Sequence, residues 1–120
     1  MDPKYIGVPN ISFSLIDATD KRDVAFAKQR MQDGFDESEL WSLNCTIARF
    51  ILPRLRQFKE KSPACPGDMS PKVWNAKLSA MIKGFELSIK QVESTLDQHE
   101  VEKMDEGLEL FFENFHHLWW

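Results

Sequence analysis

The chain has 120 residues and a formal net charge of −4, with 42% apolar and 12% aromatic residues. That length fits one domain with a buried core, and the apolar share excludes a disordered composition. The acidic balance argues against direct nucleic-acid binding, which needs a basic footprint, and apolar runs as short as Phe50-Ile51-Leu52 argue against a membrane span.

The expected fold is all-α: a compact bundle of about four helices over 20–120, preceded by an extended arm over 1–19. Pro3, Gly7, Pro9 and Asn10 break regular structure in the arm. Ile11 to Leu15 alternates apolar and polar residues, a strand pattern with no strand to pair with. The arm therefore either lies over the helices or is exchanged with a neighbouring subunit. The opening MDPKYIGVPN lacks the regions of a signal peptide, and Cys45 and Cys65 make no disulfide framework, so a reducing cytoplasm is expected. Cys45, inside a helical pattern, reads as a small core residue.

Thr19 or Asp20 can cap a first helix through Met31, and Gly34 suits the left-handed position after it. Asp36 with Glu39 forms a capping-box pattern, and Phe35 with Leu40 a staple, which places the start of the second helix there. That helix runs to about Lys61 on the stripe Leu40, Leu43, Ile47, Phe50/Ile51, Leu55 and Phe58. Trp41, Ala48 and Leu52 widen the stripe, which suggests cover on two sides. Pro53 lies inside the pattern and withholds an N–H from the Arg49 carbonyl, so a kink or a break is expected.

Ser62 to Asp68 is a loop by composition. Ser70 caps the third helix and Pro71 takes its first position. Trp74, Leu78, Met81/Ile82, Phe85, Ile89 and Val92 form its stripe, with a turn hidden between Gln91 and Asp97. Asp97 with Glu100 caps the last helix, whose stripe is Val101, Met104, Leu108, Phe111/Phe112, Phe115, Leu118 and Trp119. Glu102, Asp105, Glu106, Glu109 and Glu113 make its solvated face. Gly84 and Gly107 fall mid-helix at similar depth in the hairpin, which suggests a close crossing of the two backbones.

No glycine-rich phosphate loop, HExxH, CxxC or nucleophile elbow is present. His116 and His117 are adjacent and cannot share a metal from one helix face, and His99 stands alone. The chain therefore presents no catalytic residues, metal site or cofactor site, and reads as a non-enzyme. Arg49, Arg54, Arg56, Lys59 and Lys61 concentrate positive charge late in the second helix. This placement either complements the helix dipole or forms an anion site. Four Trp and nine Phe are a high load for this length. Phe112, Phe115, Trp119 and Trp120 are the candidate partner-binding rings: they either fold back on the core or anchor another subunit or a target.

The order Gly34-Phe35-Asp36, Leu40 to Leu43, Ile51 to Leu55, Pro66 to Pro71 with Trp74, Gly84 to Glu86, and Gly107-Leu108 through Trp119 resembles a group of short proteins encoded by tailed bacteriophages and prophages. The similarity covers roughly 34–119, and its most specific part is the third-helix segment around Trp74. Members often carry an acid where this chain has Asn44 and Trp120. The resemblance implies a phage-encoded accessory protein of the bacterial host cytoplasm and brings no activity with it. Two functions follow as expectations. One is a non-enzymatic module that binds a host or phage macromolecule, or itself, to inhibit a host defence. The other is an oligomeric binder that sequesters an anionic, nucleotide-type signal through Arg49 and Arg56.

Overall fold

The computed structural model describes residues 12–120. Among them are four α-helices and no strand: α1 Asp23–Asp33, α2 Leu43–Lys61, α3 Pro71–Lys90 and α4 Gln98–Glu113. Short 3-10 turns occupy Glu37–Leu40 and Phe115–His117. The fold is all-α, as the periodicity requires. The chain divides into two compact units, Met1–Arg49 and Phe50–Trp120, with the boundary inside α2.

In the first unit, α1 begins at Asp23, later than the expected caps at Thr19 or Asp20. Those residues spend their capping power on turns. Asp17 accepts from the Thr19 backbone, and Asp20 accepts from both the backbone and the guanidinium of Arg22. The Arg22 hydrogen bonds hold the Asp20 carboxyl down to about 2. Gly34 ends α1 at φ 85°, the left-handed cap expected there.

The capping box of Asp36 and Glu39 forms, but it starts the 3-10 turn rather than α2. The reason lies outside the local pattern. Asp36, Ser38 and Glu39 are buried, and they receive the segment 13–15. The Phe13 N–H donates to Glu39 Oε1 at 3.3 Å, the Leu15 N–H to Ser38 Oγ at 2.8 Å, and Ser14 Oγ to Asp36 Oδ2 at 2.6 Å. Arg30 of α1 pairs with Asp36 and, at 3.1 Å, with Asp23. The alternating segment is thus held by side chains, not by a second strand. Its Ile11 and the rest of 1–11, most of the arm expected to lie over the helices or to be exchanged with a neighbouring subunit, lie outside the described residues.

α2 continues through Pro53 as one helix, so of the kink or break expected there the break does not occur. Its buried residues are Cys45, Ala48, Leu52 and Leu55, a narrower seam than the expected stripe. Leu40, Leu43, Ile47 and Phe50 stay about half exposed. The buried set is spaced by three and four and lies on the side that carries the small residues Cys45 and Ala48.

The second unit is built on the α3–α4 hairpin. Ser70 Oγ accepts from the Val73 N–H at 3.2 Å and Pro71 opens α3, as expected. Asp97 and Glu100 form the capping box of α4. Trp74, Leu78, Met81 and Phe85 are buried on α3, while Val92 lies beyond its end and is exposed. Gly84 and Gly107 meet: a methyl on Gly84 would lie 3.0 Å from Gly107 Cα, and one on Gly107 would lie 2.8 Å from Gly84 Cα. Phe85 and Phe111 pack edge to face at 4.9 Å, and Lys90 Nζ reaches Glu100 Oε2 at 2.5 Å beside the connecting loop.

Candidate interaction face

The end of α4 determines how the terminal rings are presented. The stripe predicts helix through Trp119, but α4 stops at Glu113. Asn114 is the cause. It is buried, its side-chain amide donates to the Leu110 carbonyl at 2.9 Å, and its Oδ1 lies 3.2 Å from His117 Nδ1. An Asn that binds the backbone locally competes with helix propagation. The chain then turns through Phe115–His117, and the rings that follow leave the stripe. Phe112 is 70% exposed, Phe115 55%, Trp119 72% and Trp120 64%.

These rings are placed by neighbours rather than by burial. Phe111 is the hub, with Phe112 at 5.4 Å and Phe115 at 5.9 Å, both edge to face. Trp120 lies 5.9 Å from Phe58 of α2. Trp119 and His117 line a cavity of about 310 Å³ with Ala64 to Asp68. Phe50, Ile51, Leu55, Phe58, Phe111 and Leu118 form a shallow apolar groove of about 230 Å³, with Arg54 at its edge.

The cationic residues are placed separately. Arg54 lies 3.9 Å over the Phe50 ring and donates to the Phe50 carbonyl at 2.8 Å. Arg56 pairs with Glu86 of α3 at 3.4 Å, on the surface. Lys59 follows on the same helix, half-buried. Arg49 belongs to the first unit, 5.5 Å from the Phe13 ring. The pairing of Arg54 with Phe50 has a signature in their i,i+4 spacing, whereas the Asn114 stop has only an Asn followed three residues later by His.

Among the described residues, no group of His, Cys, Asp and Glu is arranged to hold a metal, and no helix is long and apolar enough to cross a membrane. Cys45 is buried and Cys65 half-buried, both as free thiols. His117 meets the edge of the buried Trp74 at 6.3 Å. No family model, curated protein or solved structure matches the chain.

Proposed function

We propose that this protein is a non-enzymatic interaction module that binds a macromolecule through its C-terminal aromatic face. The observation that carries the reading is the exposure of Phe112, Phe115, Trp119 and Trp120 beside an apolar groove. Large contiguous apolar surface is costly in water, and aromatic anchors dominate interface energetics. Glu102, Asp105, Glu106, Glu109 and Glu113 of α4 are exposed and supply an acidic flank that suits a basic partner. With the phage resemblance, the reading extends to an accessory protein of the host cytoplasm that disables a host defence. The anionic-ligand alternative, through Arg49 and Arg56, has less support, because Arg56 is already paired with Glu86.

The test is affinity purification from infected cells under native conditions, with proteins and small molecules both identified. Trp119→Ala and Trp120→Ala are expected to lose a stoichiometric protein partner that Arg56→Ala retains. Recovery of a nucleotide lost on Arg56→Ala would favour the alternative.

A further inference from the structure

An exposed ring stands beside the groove. Phe112 is 70% exposed on α4, and its ring is 5.4 Å from that of Phe111, which forms one wall of the groove. A protruding ring next to an apolar depression is what a two-fold contact needs, because in an isologous interface one patch supplies both halves. The charges agree with this arrangement. Asp105 and Glu109 precede Phe112 by seven and three residues, so they share its side of α4, and both are exposed. Arg54 stands at the groove edge, its orientation set by the Phe50 ring and carbonyl. A guanidinium has five N–H donors, of which the carbonyl takes one, so it can still grip a carboxylate.

We infer that the groove is filled by a second copy of this chain. Phe112 of each copy enters the groove of the other, and Glu109 of each faces the other's Arg54. The inference rests on the reading of the C-terminal rings as an interaction face and names one occupant for part of it. The net charge of −4 on each copy opposes association, so the contact is expected to strengthen as salt screens the long-range repulsion.

Sedimentation velocity on the purified full chain tests this from roughly 1 μM to roughly 1 mM, the range of weak homodimers. The wild type is expected to form a dimer. Phe112→Ala and Arg54→Glu are each expected to weaken it by about 10-fold or more, as loss of an interface anchor does. Arg54→Glu combined with Glu109→Arg restores it. Circular dichroism confirms that each variant keeps its helices, which the exposure of Phe112 favours. A monomeric wild type across this range, or a dimer indifferent to Phe112→Ala and Arg54→Glu, overturns the inference. The experiment contains no other protein, so its failure is distinct from failure to capture a macromolecular partner.

Discussion

Gly84 and Gly107 face each other across the α3–α4 crossing with no room for a side chain on either. A methyl on Gly107 would run into the Ala80 carbonyl oxygen and sit 2.9 Å from the Gly84 nitrogen. Each glycine lowers the intrinsic stability of its helix by about 1 kcal/mol against alanine, and the close approach recovers this through backbone packing. Phe85 against Phe111 then fixes the hairpin one turn along.

Gly107→Ala is therefore expected to destabilise the protein. Overpacking costs about 1–3 kcal/mol, partly offset by about 1 kcal/mol of helix propensity. Gly84→Ala meets its nearest backbone atoms at 3.0 Å and is expected to cost less. Urea midpoints for the two variants check both the sign and the order.

The Asp36 cluster makes a pH prediction. Burial pushes the Asp36 carboxyl up, but hydrogen bonds from Ser14, Ser38 and Arg30 and from the Ser38 backbone outweigh it, so the net shift is downward. A depressed folded value contributes stability that is present above the unfolded value, near 3.9, and is lost as pH falls through the folded one. Asp36→Asn is expected to cost about 2–3 kcal/mol at pH 7 and to flatten part of the acid limb below roughly pH 5. Urea titrations at pH 7 and in the acid limb, on wild type and variant, measure this.

Much of the fold is legible locally. Ser70-Pro71, Asp97 with Glu100, and Gly34 act within a few residues of themselves, and each ends or starts a helix as its chemistry requires. Gly84 and Gly107 were legible because two costly residues at matched depth need a shared reason. The polar seat of Phe13 to Leu15 was not, because its hydrogen bonds span 22 to 26 residues. Nor was the end of α4, where an apolar stripe that continues past Asn114 outvotes, on paper, the one buried amide that stops it.

The tryptophans should separate into two classes. Trp74 is 3% exposed in the second unit, and Trp74→Ala is expected to cost about 3–5 kcal/mol. Trp119→Ala should stay within about 0.5 kcal/mol, as surface changes do. Thermal melts of the two variants make the comparison.

Thiol chemistry should report the same contrast. Cys65, half-buried beside the cavity it shares with His117, is expected to react with an aromatic disulfide reagent in the native protein. Cys45, buried on α2, should react only on unfolding. Counting thiols released with and without urea distinguishes them.

The most direct test of the interaction face is native capture from infected cells with wild type, Trp119→Ala and Trp120→Ala side by side. A stoichiometric protein partner is expected with wild type and its loss from both variants, with melting temperatures unchanged. Equal recovery from all three, or recovery of a small anionic ligand alone, would contradict it.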